Sequence, residues 1–261
     1  LKQIKCGMVV SCESAREINE VTIQRMLDNP TMEEFTSSLA TLTGGSGAAA
    51  VLLTDRSFTL SDRRRLAGCV TKAAPEHHRL CRWGVTLSPV ALGKLMLNPD
   101  KLKTTLRDLM EPETIPGALR EIMTSQHLPP SLAKMLPSEM LPNALTQVMR
   151  TDSVAVLKHG VELGVRTWGA FLNSVGWARD QVDKVICHQV GSGHRDVILR
   201  ELGIPPEKDF STFPYLGNMG TVSLPMSAAL AEQRRFLNAG DKVGFLGIGS
   251  GLNCLMLGWE W

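Results

Sequence analysis

The chain has 261 residues, of which 43% are hydrophobic, and this is enough to fill the core of one large domain or of two half-sized ones. Its 28 basic and 26 acidic residues are spread along the sequence and leave a formal charge of +2, so it lacks the basic stripe of a nucleic-acid-binding protein. No apolar run reaches the ~18 residues of a transmembrane segment, and no secretory signal pattern is present, which predicts a cytoplasmic location.

The cysteines show no paired spacing of the kind that marks a disulfide framework or a zinc site. Several lie inside apolar, strand-like runs, so they are predicted to be buried free thiols. His77 and His78 stand near Cys81, but no second cluster of ligands completes a metal site, and no metal is expected. The six cysteines are Cys6, Cys12, Cys69, Cys81, Cys187 and Cys254.

The first third of the chain predicts one helix and three strands. The helix spans about residues 14–28, where apolar side chains recur at helical spacing before Asn29 and Pro30 stop it. Strands are expected at residues 6–11, 48–54 and 65–73, the second of them buried, and a polar loop is expected at 71–83.

Residues 88–150 differ from the rest in composition, because prolines separate short pieces rich in Leu and Met. Prolines at this density prevent a long helix or strand. Three interpretations stay open: an inserted cap with a small core of its own, a mobile apolar cover over a long-chain ligand, or a membrane-surface contact.

The last 111 residues, 151–261, alternate regularly between helices and strands. A long helix is predicted from Ser153 to Val175, with Asp152 or Ser153 as its cap. The alternation ends in an antiparallel strand pair, which favours a layered α/β fold. The remaining elements are expected as strands at 182–187, 210–213, 242–247 and 252–261 and as helices at 194–202 and 222–238.

Two polar residues occupy strand-to-turn positions from which a side chain can be aimed into a cleft. His188 closes the apolar run Val185–Cys187, and Asn218 lies within the turn Gly217–Gly220. A neutral imidazole N–H and an amide N–H can together hold a developing oxyanion, so the pair indicates carbonyl chemistry. A packing role for His188 and a purely conformational role for Asn218 remain alternatives.

A third candidate segment is the glycine-rich run Gly247–Gly251. It resembles a dinucleotide-binding loop, but that motif needs a following helix, and only strand-like residues remain here. A tight turn between the last two strands is the better interpretation. Its glycines would let the backbone approach a substrate closely, so Gly249, Ser250 and Gly251 are candidate substrate-binding residues.

The His-Gln-Val and Gly-Asn-Met-Gly elements and the final Gly-Ile-Gly-Ser-Gly-Leu-Asn-Cys segment resemble the thiolase superfamily, in particular the β-ketoacyl-ACP synthase III enzymes. Within it, the run 40–50 and Leu80–Arg82 are most similar to the OleA-type condensing enzymes of long-chain olefin pathways. The resemblance implies a thiolase-like layered α/β fold. Residues 1–87 would be the end of its N-terminal repeat, 88–150 an inserted helical cap, and 151–261 the C-terminal repeat.

The resemblance implies an acyltransferase that joins fatty acyl-CoA chains into a β-ketoacid by thioester Claisen condensation. His188 and Asn218 would match the family's histidine and asparagine, which hold thioester oxygens and assist enolate formation. The nucleophilic cysteine of the family is expected a few tens of residues upstream of Leu1, on the same protein or on a separate chain. No cofactor is implied, because coenzyme A enters as the carrier of the substrate, and a homodimer is expected.

One departure from the family pattern concerns carrier-protein docking. The type III synthases carry an arginine five residues beyond the histidine, where Gly193 stands here, although Arg195 is nearby. Two alternatives to the acyl-CoA condensation therefore stay open: a type III synthase that uses malonyl-ACP, and a non-catalytic partner subunit that lacks its own nucleophile.

Overall fold

The computed structural model of the protein describes residues 5–55, 64–87 and 145–261. The α-helices in these ranges are α1 (Arg16–Asp28), α2 (Met32–Leu42), α3 (Ser153–Val175), α4 (Ser192–Leu202), α5 (Phe213–Leu216) and α6 (Ser223–Gln233). The strands are β1 (Cys6–Glu13), β2 (Gly47–Thr54), β3 (Arg65–Ala73), β4 (Cys81–Leu87), β5 (Leu145–Thr151), β6 (Lys184–Cys187), β7 (Lys242–Gly249) and β8 (Asn253–Glu260). The predicted α/β class is confirmed.

Two compact units divide the chain, one formed by residues 1–82 and 149–261 and the other by residues 83–148. Most of the predicted cap, residues 88–144, lies outside the described residues. The division into 1–87, 88–150 and 151–261 therefore stays a prediction.

The larger unit is organised around a four-stranded mixed sheet with the strand order β3-β8-β7-β6. The strands β6 and β7 run parallel, with Cys187 opposite Leu246, and the other neighbours are antiparallel. On one face of this sheet α3 packs against β3 and β8, and on the other face α6 contacts β6 and β7. This arrangement is the layered α/β fold that the sequence predicts.

Side-chain alternation along β6 assigns its residues to the two faces of the sheet. Val185 and Cys187 join the apolar core on the α3 side, whereas Ile186 joins the core on the α6 side. His188 follows the strand directly and lies two residues after Ile186, so its side chain is expected on the same face of the sheet as that of Ile186. The strand end therefore assigns His188 to the α6 side.

The long helix α3 has the bounds that the sequence predicts. At its start the Asp152 side chain accepts a hydrogen bond from the Ala155 N–H at 3.0 Å, which satisfies one of the free donors of the first turn. At its end Gly176 adopts the left-handed conformation with φ 68°. Both ends are therefore fixed by local capping chemistry.

Three local predictions were wrong. The polar loop expected at 71–83 contains a 3-10 helix at Pro75–Leu80 and the start of β4. The strand expected at 210–213 is absent, and α5 begins at Phe213. The last predicted helix ends at Gln233 and not at residue 238, because Arg235 takes a left-handed conformation with φ 58°.

The strands β1 and β2 form a separate antiparallel ribbon, which pairs Cys6 with Thr54 at one end and Glu13 with Gly47 at the other. The sequence predicts a buried β2, but this prediction was wrong for the described chain. Large apolar side chains of the ribbon are exposed, namely Met8, Val9, Val10, Leu52 and Leu53.

All six cysteines are free. Cys187 and Cys254 are buried as predicted, whereas Cys6, Cys12 and Cys69 are exposed, so the prediction of burial was wrong for these three. Among the described residues, no helix combines the length and the apolar character that crossing a membrane requires.

Candidate functional site

His188 lies at the carboxyl end of the parallel pair β6 and β7. Its backbone N–H donates to the Leu246 carbonyl at 2.8 Å and so continues the ladder one residue beyond β6. Burial lowers the pKa of His188 to about 4, because an imidazolium is poorly solvated there. At neutral pH the ring is therefore uncharged, with one N–H to donate and one nitrogen lone pair to accept.

Gln189 fastens the end of β6 to the segment that leads to α5. Its side-chain amide donates to the Phe210 carbonyl at 2.9 Å, and its Oε1 accepts from the Thr212 N–H at 2.8 Å and from the Phe213 N–H. Thr212 in turn bonds Ser227 of α6 at 2.9 Å. These bonds explain why residues 210–213 form no strand, since a side chain occupies the backbone donors that a neighbouring strand would use.

A buried ion pair lies beside β6 on the opposite side from His188. The Asp209 carboxylate accepts from the Cys187 N–H at 3.3 Å and from Arg195 Nε at 2.6 Å. Burial raises the pKa of Asp209, and the Arg195 guanidinium opposes this rise. Only 23% of the Arg195 side chain is exposed and none of the Asp209 side chain, so Arg195 is turned inward.

The thiol beside His188 is unsuited to nucleophilic attack. Burial is the main cause that raises the pKa of Cys187 far above its ordinary value, and the nearby Asp209 carboxylate raises it further. Cys187 also packs in the core on the α3 side, whereas the strand alternation assigns His188 to the α6 side.

Asn218 is held by its backbone and by its side chain. Its N–H donates to the Thr43 carbonyl and its carbonyl accepts from the Gly45 N–H, both at 2.8 Å. Its Oδ1 accepts from the Gly220 N–H at 3.0 Å. Because a backbone N–H can pair only with the oxygen of the amide, the Nδ2 group is the end that is left to donate elsewhere.

The loop before β2 and the turn around Asn218 approach each other more closely than side chains would allow. A Cβ on Gly45 would lie 1.8 Å from the Leu216 carbonyl oxygen, and a Cβ on Gly217 would lie 2.5 Å from that of Thr43. Gly217 also has a positive φ of 66°, which glycine adopts without strain. Gly45 and Gly217 thus allow close packing of one backbone against another, a role that the sequence did not reveal.

The helix α6 brings the Asn218 turn to the sheet that carries His188. It begins at Ser223, directly after the 3-10 turn Gly220–Val222, and it contacts β2 as well as β6 and β7. His188 thus follows a strand that α6 contacts, and Asn218 lies just before the 3-10 turn that leads into α6.

The Gly249–Gly251 turn joins β7 to β8 at the same sheet edge as His188, since Cys187 is opposite Leu246. Gly251 has φ 118°, and the Asn253 side chain closes the turn by donating to the Ser250 carbonyl at 2.9 Å. A Cβ on Gly249 would meet no atom within 4 Å, so there is open space beside its backbone. The Asn253 side chain thus holds the turn, and the backbone at Gly249 is accessible.

A cavity of about 730 Å³ opens between α2, the 3-10 helix and the start of α3. Three arginines line it, Arg79, Arg82 and Arg150, and the last also bonds the buried Glu34 at 2.8 Å. Glu33 and Asp152 also line the cavity, and Arg79 and Arg82 are its exposed guanidinium groups, a type of group that binds phosphate oxygens well. In the part of the chain that the structure describes, no group of three or more His, Cys, Asp or Glu side chains is placed to bind a metal ion.

Comparison with known proteins agrees with this architecture. Residues 172–261 match the family model for the C-terminal part of 3-oxoacyl-[acyl-carrier-protein] synthase III. The chain is 47% identical over 263 residues to an acyl-CoA:acyl-CoA alkyltransferase of Shewanella oneidensis, with 100% of this chain and 60% of that protein aligned. A protein of the same name from Xanthomonas campestris is 29% identical over 260 residues, with 99% of this chain and 59% of that protein aligned.

Among solved structures, a cysteine-to-serine variant of Xanthomonas campestris OleA with bound lauric acid and lauroyl-CoA matches with a TM-score of 0.71 at 29% identity. The match covers 99% of this chain and 59% of that one. The chain thus spans about three fifths of the length of the curated relatives it matches. The sequence matches and the shared layered architecture show that the chain is similar to the OleA-type alkyltransferases and the type III β-ketoacyl synthases, which have a thiolase-like fold.

Proposed function

We propose that the protein containing this chain is an acyltransferase that joins two fatty acyl-CoA chains into a β-ketoacid by thioester Claisen condensation. The observation that carries this proposal is the pair of candidate donors His188 and Asn218. The ring of His188 is neutral at pH 7, and the Asn218 amide is fixed with its Nδ2 group free to donate. The helix α6 contacts the strand that ends at His188 and follows the turn that holds Asn218, which supports a shared site.

In the proposed reaction these two groups stabilise negative charge on a thioester oxygen. When the α-carbon of one acyl thioester loses a proton, the charge moves to its carbonyl oxygen, and N–H groups aimed at that oxygen lower the energy of the enolate. The enolate carbon then attacks the carbonyl of the second acyl group, and the new carbon–carbon bond displaces the thiolate that carried it, which takes up the proton lost from the α-carbon. Water then hydrolyses the CoA thioester of the condensed product, which gives the β-ketoacid and free CoA. The thiolate in this proposal belongs to a cysteine outside these 261 residues.

An acyl-CoA substrate has an anionic end and a long apolar end. We assign the arginine-lined cavity to the phosphate groups, because Arg79 and Arg82 are exposed there and guanidinium groups pair well with phosphate. We assign the Gly249–Gly251 turn to backbone contact with the substrate near the thioester, since open space lies beside Gly249. The names of the relatives and the bound lauroyl-CoA of the OleA structure support the same substrate class. Acyl-CoA thioesters are cytoplasmic metabolites, and we place the enzyme in that compartment.

A type III synthase that uses malonyl-ACP is the second candidate, favoured by the match of residues 172–261 to that family's model. Carrier proteins are acidic and dock on exposed basic side chains. Gly193 offers no such side chain, and Arg195 is committed to the buried Asp209. These two observations favour acyl-CoA over a carrier protein as the second substrate.

The partners of this chain are also part of the proposal. Both faces of the β1–β2 ribbon carry exposed apolar side chains, which indicates that the ribbon is covered in the complete protein. We propose that the remaining part of the thiolase-like fold covers it, in the same polypeptide or as a separate chain, and that the complete protein is a homodimer.

The test uses the complete protein with two equivalents of a long-chain acyl-CoA, with release of free CoA followed by a thiol reagent and the β-ketoacid identified by mass spectrometry. Removing one oxyanion donor typically lowers kcat about 100-fold to 1000-fold, and we expect effects of this order from His188→Ala and Asn218→Ala. The matched controls are His78→Ala and Asn238→Ala, two exposed positions of the same residue types.

Unchanged CoA release in both site variants would contradict the proposal. Turnover only after malonyl-ACP is added would favour the type III synthase. If the complete protein turns over neither substrate pair but increases the activity of a complete homologue, it is the non-catalytic partner subunit.

A further inference from the structure

The helical segment that follows Asn218 begins without a cap of its own. The 3-10 turn Gly220–Val222 runs directly into α6, and neither Met219 nor Val222, which occupy the two N-cap positions, supplies a side-chain hydrogen bond. The first N–H groups of a helical segment have no partner within it, so they need acceptors from elsewhere.

Two side chains supply these acceptors. The Gly220 N–H donates to Asn218 Oδ1 at 3.0 Å, and the Thr221 N–H donates to Glu13 Oε1 at 3.2 Å. Glu13 is the last residue of β1, 208 residues away from Thr221. A carboxylate at a helix N-terminus is also favoured by the partial positive charge of the aligned peptide dipoles.

The Thr221 side chain strengthens the contact with Glu13. Its hydroxyl donates to the same Glu13 Oε1 at 2.7 Å, and its oxygen lies 2.5 Å from the Ser11 hydroxyl. Because a hydroxyl has one proton to give, and Thr221 gives it to the carboxylate, the Ser11 hydroxyl is the donor in the second bond. Ser11, Thr221 and Glu13 thus form one directed chain of hydrogen bonds.

The carboxylate also lies against the backbone of Gly220. A Cβ at this position would be 2.9 Å from Glu13 Oε1 and 3.0 Å from Glu13 Cδ. Gly220 has a φ of 55°, which glycine adopts at little cost. The side chain of Glu13 therefore limits how far the Gly220 peptide can move or rotate.

We infer that Glu13 is a positioning residue that keeps the Asn218 amide in its donating orientation, an inference that rests on the proposed function. The Gly220 N–H selects the oxygen of the Asn218 amide, and Glu13 fixes where that N–H lies. Without Glu13 the Gly220 peptide is freer to turn, and the amide can rotate to present its oxygen. An amide oxygen facing a developing oxyanion repels it, whereas the Nδ2 group stabilises it.

The test compares Glu13→Ala and Glu13→Gln in the complete protein, with Glu20→Ala as the control. Glu20 is an exposed acid of α1 that pairs with Arg16. A displaced catalytic group can cost about 100-fold in rate, so we expect Glu13→Ala to lower kcat about tenfold to 100-fold while KM changes by less than about twofold. Glu13→Gln keeps the acceptor oxygen and should restore most of kcat, and Glu20→Ala should match the wild type.

A milder variant guards against loss of folding. Thr221→Val removes the side-chain donor but keeps the backbone N–H, so a smaller fall in kcat is expected. Added to Glu13→Ala, it should lower kcat no further, because both changes break the same contact. A fully additive loss of activity, or a Glu13→Ala variant with normal kcat, would overturn the inference.

Amide hydrogen exchange at Gly220 and Thr221, measured in the same variants, separates this inference from the proposed function. We expect faster exchange at both amides in Glu13→Ala and wild-type exchange in Glu13→Gln. If the wild-type protein condenses no acyl-CoA, the proposed function fails, while the exchange rates still show whether Glu13 holds the turn. Unchanged exchange in Glu13→Ala would overturn the inference even in an active enzyme.

Discussion

At the scale of single residues, the candidate site depends on groups kept neutral or fixed by their neighbours. His188 is uncharged because burial penalises its protonated form, and Asn218 is oriented because Gly220 takes its oxygen. Arg195, the cation nearest in sequence to His188 on its C-terminal side, is neutralised by Asp209. Such a site favours the stabilisation of an anion that forms during a reaction over the binding of an anion that is already present.

The lowered pKa of His188 predicts a dependence of stability on pH. The pKa is about 4 in the folded protein and 6.5 in the unfolded chain, so between these values the unfolded chain binds more protons. The contribution of the neutral His188 ring to the free energy of unfolding is therefore complete above pH 6.5 and is lost as the pH falls toward 4. We expect the share due to His188 to fall by about 2 kcal/mol between pH 7 and pH 5.

Urea unfolding of the wild type and of His188→Asn at these two pH values measures this share. The wild type should lose more stability than the variant on going to pH 5. His194→Asn serves as the comparison. Burial also lowers the pKa of His194, so its contribution to the free energy of unfolding also falls as the pH falls. An equal pH dependence in the wild type and in His188→Asn would contradict the prediction.

The sequence could predict where the two candidate donors stand but not what holds them. An apolar run that stops at a histidine, and an asparagine between glycines, are visible in the sequence itself. The partners of Asn218 are Thr43, Gly45 and Gly220, and two of these lie more than 170 positions away, beyond any local pattern. The bonds that Gln189 makes to Phe210, Thr212 and Phe213 likewise join residues more than 20 positions apart, and no local pattern predicts them.

At the scale of helices and strands, local chemistry fixes the elements that the sequence predicts well. The bounds of α3 follow from the Asp152 cap and the left-handed Gly176. The segment at 210–213 was mispredicted as a strand because its backbone donors go to the Gln189 side chain. The burial of β2 was mispredicted for the described chain. An apolar run indicates that a strand tends to be buried, but it does not indicate which part of the protein buries it.

The close approach between the loop before β2 and the Asn218 turn predicts a strong effect of a small substitution. In Gly45→Ala the new methyl group would overlap the Leu216 carbonyl oxygen at 1.8 Å, so the backbone must move. We expect a loss of about 2 kcal/mol or more in the free energy of unfolding, together with a lower kcat as Asn218 shifts.

Gly169→Ala is the matched control, because Gly169 lies inside α3 and a Cβ there would meet no atom within 4 Å. Alanine is the better helix former, so this variant should gain about 0.5–1 kcal/mol. Thermal unfolding of both variants provides the comparison. A Gly45→Ala variant as stable as the wild type would show that the loop is not packed as described.

At the scale of the whole molecule, the β1–β2 ribbon is the part that the described chain leaves uncovered. Met8 is 67% exposed and its cross-strand partner Leu52 is 55% exposed, and neighbouring apolar side chains extend the patch. Contiguous apolar surface of this kind marks an interaction site on a folded protein. The relatives are longer than this chain, and their additional length offers the material to cover it.

Placing a charge on the ribbon tests whether the patch is covered in the complete protein. Leu52→Lys would bury an unpaired ammonium group there, and we expect a loss of about 3 kcal/mol or more in the free energy of unfolding. Val165→Lys, at a half-exposed position on α3, should change stability by no more than about 0.5 kcal/mol. Equal, small effects in both variants would show that the ribbon remains exposed. Sedimentation of the same samples reports whether the wild type is the proposed homodimer.

The bond between Glu13 and Thr221 also has a consequence for the order of folding. It joins residues 208 positions apart, and contacts between Asn218 and the loop at 43–45 span a similar distance along the chain. Contacts this far apart form late, because a large loop must close before they are gained. A nascent chain can complete β1 and β2 before the Asn218 turn is synthesised, yet Asn218 acquires its orientation only when that turn and α6 have emerged and docked.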